Sequence, residues 1–157
     1  MMKLIGRSAG LGLGIAALTL THFPAEAQVV GLWAVEKDMF SSNTCLAKHE
    51  GASGMSYERG PQGFSSRFFM AYPENRLEGD NVSVQVDLDG GSFSTLAEGD
   101  FGVLLKIEDL ELQSALESSR SIRVRHGGET VFQRSLDDLS KALPALRRCA
   151  ELRAHPK

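Results

Sequence analysis

Residues 81–96 read NVSVQVDLDGGSFSTL. Val82, Val84, Val86 and Leu88 alternate with Ser83, Gln85, Asp87 and Asp89, and a period of two gives a strand one apolar face and one polar face. Asp89-Gly90-Gly91 comes next, where glycine accepts the positive φ of a tight hairpin turn, so SFSTL is expected to return antiparallel. A strand that keeps one wet face belongs in an antiparallel sheet. Parallel strands are covered by helices on both sides and read as continuous apolar runs.

The pattern extends toward the C-terminus. FGVLLKI, residues 101–107, alternates Val103, Leu105 and Ile107 as another strand. In EDLELQSALESS, residues 108–119, the period changes. Leu112, Ala115 and Leu116 fit one helical face, acidic residues occupy the first turn where the helix dipole favours them, and Ser118-Ser119 ends the run. SIRVRHGGETVFQRSL, residues 121–136, is a second hairpin, with Ile122 and Val124 alternating with Arg123 and Arg125, a Gly127-Gly128 turn, and Phe132 starting the return face. A closing helix follows. Starting it at Ser135 would put Pro144 deep in its interior at about 3 kcal/mol, so Ser140 is expected as its N-cap. Leu143, Leu146, Cys149 or Ala150, and Ala154 then form the buried stripe.

Toward the N-terminus, GLWAVEK, TCLAKH and GMSYERG are short strand candidates bounded by turns. GFSSRFFMAY places Phe64, Ser66, Phe68, Met70 and Tyr72 on one side. The adjacent Phe68 and Phe69 must point to opposite faces, so one of them needs cover, and the closing helix is expected to supply it. PENRLEGDN is a loop by composition. The expected fold is mainly β: an antiparallel sheet or small β-sandwich with a short helix and a packed C-terminal helix, α+β by count.

Residues 1–27 have the form of a signal peptide. Lys3 and Arg7 precede an uncharged run from Ala9 to Leu20, and Ala25-Glu26-Ala27 supplies a small-x-small cleavage site before Gln28. The run falls short of the roughly 20 apolar residues a membrane span needs, and no later segment is long and apolar enough to span. Residues 28–157 are therefore expected to form one exported domain, periplasmic or secreted. Of the chain's 17 basic and 20 acidic side chains, the leader removes Lys3, Arg7 and Glu26. The mildly acidic balance that remains argues against nucleic acid as a partner.

Export changes the meaning of the two cysteines. In an oxidising compartment an even count favours a bridge, and Cys45–Cys149 is the one pairing available. A reactive thiol would need a base held nearby, and His49 is the nearest candidate by sequence. His49, His126 and His155 match no metal-site spacing, and nucleophile elbows and phosphate loops are absent as motifs. No catalytic group, metal or cofactor is expected. Two features fit a partner surface instead. Arg123 and Arg125 share a strand face, with Arg134 expected beside them as a cationic strip for an acidic partner; a solvated outer face balanced by nearby glutamates is the simpler account of them. SGMSY, residues 53–57, is similar to the serine-glycine-x-x-tyrosine segment of periplasmic C-type lysozyme inhibitors, which would place Ser53 and Tyr57 at a partner; an ordinary turn before a strand also accounts for it.

The leader, the early Trp33 and Cys45, the central VSVQVDLDG strand, the short acidic helix, the hairpin and the closing SLDDLSKALPALRRC together resemble small envelope proteins of alphaproteobacteria. The nearest named family is the invasion-associated locus B proteins. The resemblance covers most of residues 28–157. It implies an exported, non-enzymatic protein-binding module, with a host-interaction role by analogy. The competing expectation is a proteinaceous inhibitor of a periplasmic or host hydrolase such as lysozyme.

Overall fold

The computed structural model describes residues 28–37, 44–51, 54–59 and 66–154, so the expected signal peptide, Ser53, Phe64 and His155 lie outside the described residues. Among these described residues there are ten strands and two helices. The strands run β1 (Gln28–Val30), β2 (Trp33–Lys37), β3 (Cys45–His49), β4 (Met55–Arg59), β5 (Ser66–Met70), β6 (Val82–Leu88), β7 (Gly91–Glu98) and β8 (Val103–Ile107), followed by helix α1 (Leu110–Ser118), β9 (Ser121–His126), β10 (Glu129–Ser135) and helix α2 (Leu139–Ala154). Of the two arrangements left open, the described strands form one sheet. Every pairing is antiparallel, in the order β1-β2-β3-β4-β5-β8-β7-β6-β9-β10.

The opening hairpin is as expected. Val84, Val86 and Leu88 are buried, and β6 and β7 close across a Leu88–Gly91 pair. In the second hairpin, Phe132 pairs with Val124 after a register shift beyond Thr130. The shift inserts Val131 as an extra residue, and both Val131 and Phe132 are buried, a β-bulge that strict alternation does not anticipate.

The sheet is strongly rolled. Phe68 on β5 stacks on Phe132 on β10 with centroids 6.1 Å apart, although the two strands are five places apart, about 24 Å on a flat sheet. The roll brings β2 to the chain beyond β10, where the buried Trp33 indole donates to the carbonyl of Asp137 at 2.8 Å. Two local contacts hold the ends of the sheet. The Asn75 amide N–H donates to Val131 on the outer side of β10 at 3.0 Å, and the β1–β2 turn has Gly31, at φ +60°, against the Asp138 side chain.

Helix α2 packs on β1 to β4 and on α1, closing the inner face over Trp33, Tyr57 and Leu112. It begins at Leu139, earlier than the expected cap at Ser140, so Pro144 is its sixth residue. The reason is tertiary. Leu136 and Leu139 are buried, Asp138 takes φ +66°, and the Asp138 carbonyl receives the N–H of Lys141 at 3.0 Å and of Ala142 at 3.2 Å. The burial of Leu139 thus outweighs the misplaced proline. Helix α1 needs no such correction, since the Asp109 side chain caps it by accepting from the Glu111 N–H at 2.7 Å.

Candidate functional site

Among the described residues, several polar and ionisable side chains converge on one buried carboxylate. Glu117 lies on the inner side of α1, and its Oε1 accepts from the Tyr57 hydroxyl at 2.8 Å, from Gln113 at 3.2 Å and from Arg59, while Oε2 accepts from Arg147 at 2.9 Å. Burial opposes its charge. The hydrogen bonds from Tyr57, Arg147 and Gln113, with the Arg59 guanidinium, outweigh burial and hold the carboxyl below the usual carboxylate range. Burial pushes the Tyr57 phenol upward, and the adjacent carboxylate adds to the rise. Arg59 is the cross-strand partner of Cys45, and Cys45 is bonded to Cys149 with Cα atoms 6.1 Å apart. The expected bridge is therefore present, and beside it a charge cluster ties β4, α1 and α2 together. The cluster's donors and acceptors are spent on one another, which suits a structural joint.

The residues expected to form a partner surface are dispersed. Tyr57 is fully buried at the joint and cannot meet a partner. Arg123 and Arg125 do share the outer face of β9. Arg123 donates to Gln133 at 2.9 Å, and Arg125 contacts Asp87 with Nε 2.8 Å from Oδ2. Asp87 is held below its usual range by the Arg125 and Ser92 hydrogen bonds. Arg134 does not join them. It pairs with the inward-facing Ile122, so it falls on the other face, where it reaches Glu74 and the Tyr72 carbonyl. The bulge at Val131 sets this parity. The strip is thus two arginines, one of them neutralised. His126 flanks the hairpin turn as expected, 3.1 Å from the Ser83 carbonyl, and His49 stands edge-on to Trp33 at 5.1 Å. Among the described residues no group of three His, Cys, Asp or Glu is placed to hold a metal ion.

A different surface emerges on the outer face. Register places Lys48, Ser56, Phe69, Leu104 and Glu98 in one row across β3, β4, β5, β8 and β7, opposite the buried Ala47, Tyr57, Phe68 and Leu105 set. Phe69 is half-buried here, while Phe68 points inward and is covered by the stacked Phe132 ring of β10, in the place expected for the closing helix. Two shallow grooves adjoin the Phe69 ring. One, about 260 Å³, is lined by Lys48, His49, Gly54, Met55 and Ser56; the other, about 200 Å³, by Glu98, Asp100, Phe101, Gly102 and Leu104. Phe101 is 92% exposed and Leu96 44%.

Alternation along FGVLLKI would have sent Phe101 inward with Val103 and Leu105. The strand starts only at Val103, because Gly102, at φ +150°, turns the chain and leaves Phe101 outside. A glycine between an aromatic and an aliphatic run was the signal available in the sequence. No protein-family model, no curated protein and no solved structure matches the chain.

Proposed function

We propose that the chain is an exported, non-enzymatic binding module of the bacterial envelope, periplasmic or secreted, whose partner is another protein. The observation that carries this reading is Phe101, exposed beside Phe69 and Leu104 on the sheet face that α2 does not cover. An aromatic and aliphatic surface rimmed by charge marks interaction sites more often than it serves a monomer's solubility. The Cys45–Cys149 bond supports export, since such bonds persist in oxidising compartments. The sequence resemblance to the invasion-associated locus B family supports the envelope, with host interaction by analogy. The structural use of Glu117, Arg59, Arg147 and Tyr57 supports a module without chemistry of its own.

The test is chemical cross-linking of residues 28–157 to an envelope fraction, compared with Phe101→Ser. A discrete cross-linked partner lost in the variant is the expected result. Turnover of ester, peptide or peptidoglycan substrates by the purified chain would overturn the reading.

Inhibition of a hydrolase such as lysozyme is the second reading. The buried Tyr57 removes support from the SGMSY segment, and what favours inhibition is the acidic rim around Phe101. Residual lysozyme activity at equimolar chain separates the two readings.

A further inference from the structure

The chemistry of the partner can be drawn from what surrounds Phe101, and it rests on the binding-module reading. The loop between β5 and β6 is anchored by the buried Leu77. Beyond it the Gly99 N–H donates to the Gly79 carbonyl at 3.1 Å. A Cβ at Gly99 would run into the Leu77 carbonyl oxygen and lie 3.0 Å from the Leu77 Cβ. This close approach sets Glu78 and Asp80 alongside Glu98 and Asp100, and Phe101 follows directly. Lys106 answers part of the charge, with Nζ 2.6 Å from Glu98 and 2.7 Å from the Asn81 side-chain oxygen. Glu78, Asp80 and Asp100 are exposed and have no ion-pair partner among the described residues.

We propose that this face docks a basic protein: Phe101 enters an apolar pocket on the partner, and lysines or arginines around that pocket meet Glu78, Asp80 and Asp100. The groove between Phe69, Leu104 and Phe101 takes the aliphatic stem of such a side chain, with its cationic head toward Asp100. A second copy of this chain is the poorer occupant. A two-fold contact centred on Phe101 would bring the acidic rim of one copy against that of the other, and like charges in contact oppose docking.

The experiment is selection from a random peptide display library on immobilised residues 28–157, followed by titration of the enriched peptide, made synthetically, against wild type, Phe101→Ser and the pair Asp80→Asn with Asp100→Asn. Enriched sequences combine Lys or Arg with apolar residues. Phe101→Ser weakens binding at least tenfold, the paired variant weakens it severalfold, and raising salt from about 50 to 300 mM weakens wild type more than the paired variant. All three positions are exposed, so melting curves of the variants should match wild type. Enrichment of acidic or uncharged peptides, or binding unchanged by Phe101→Ser, overturns this inference while leaving a module that binds elsewhere. A wild-type dimer that Phe101→Ser makes monomeric in sedimentation overturns it in favour of self-association. No enrichment above the bare support overturns both the inference and the module reading.

Discussion

Arg147 of α2 donates to one oxygen of Glu117 at 2.9 Å while Tyr57 of β4 donates to the other at 2.8 Å, so one carboxylate on α1 joins the closing helix to the sheet. Arg147 is half-exposed, but Glu117 and Tyr57 are buried and Arg59 nearly so, and removing the carboxylate leaves the Tyr57 and Arg59 donors unmatched, which costs about 3 kcal/mol.

Glu117→Gln should therefore lose about 3 kcal/mol of stability at pH 7. The folded carboxyl sits below its ordinary range, so its contribution is complete above the unfolded value of about 4.3 and fades as pH falls through the lower folded value. Urea titrations at about pH 7, 4 and 3 should show the gap between wild type and variant closing on the acid side. A gap independent of pH would mean that packing, and not the charge, is what the glutamate supplies.

The pair Cys45→Ser with Cys149→Ser opens a link spanning 104 positions. The chain-entropy model sets an upper figure of about 4.7 kcal/mol for a loop of this size, and a fall in melting temperature on the order of 10 °C is expected. The first half of α2 keeps its Leu139 and Leu143 contacts, so hydrogen exchange should quicken most around Cys149. Thiol titration of the unfolded, unreduced wild type should find no free thiol.

Trp33→Phe keeps a ring in the core and deletes the N–H that reaches Asp137 at 2.8 Å. The loss should be about 1 kcal/mol, the net worth of a part-buried hydrogen bond whose acceptor on the exposed Asp137 can turn to water. Exchange protection at Leu139 and Lys141 should fall with it, since the Asp137 carbonyl fixes the turn into α2.

Burial lowers the pKa of His49, with Asp137 and Glu50 pulling back only part of the way. The unfolded chain then binds its proton first. Stability should decline as pH falls below about 6.5 and level off below the folded value. Trp33 fluorescence, read at the 5.1 Å edge-on contact, should change over the same interval and lose that change in His49→Gln.

Gly99→Ala adds a methyl where the Leu77 carbonyl stands. The loop must move off 98–100, with an expected cost of about 1–3 kcal/mol. Because the same contact sets Glu78 and Asp80 beside Asp100, peptide binding through Phe101 should weaken as well. Unchanged binding in a destabilised Gly99→Ala would separate the acidic rim from the docking face.

The strands were readable where one face is wet, because alternation survives only there. Val82 to Leu88 shows it plainly, and β9 nearly so. Alternation misled where a backbone irregularity changes parity. The bulge at Val131 carries Arg134 away from Arg123 and Arg125, and Gly102 turns Phe101 out of the row that Val103 and Leu105 continue inward. The start of α2 was misplaced by two residues, from Lys141 after a Ser140 cap to Leu139, because the sequence shows the penalty at Pro144 and not the pocket that takes Leu139. The partner surface was the least legible, since Phe69, Leu104 and Phe101 meet only through the long-range pairing of β5 with β8 and the loop that precedes β8. Glu117 drew no reading of its own from the sequence, because nothing local announces that Tyr57, Arg59 and Arg147 converge on it.

The bond between Cys45 and Cys149 also constrains how the molecule is made. During synthesis Cys45 emerges first, and its partner follows only after 104 further steps of elongation. Most of the sheet can therefore assemble around a thiol still waiting for its match, and the link is sealed when α2 docks. With two cysteines in the chain there is no wrong intramolecular pairing to undo. Maturation of a single molecule then depends on an oxidant and has no step for an isomerase to correct.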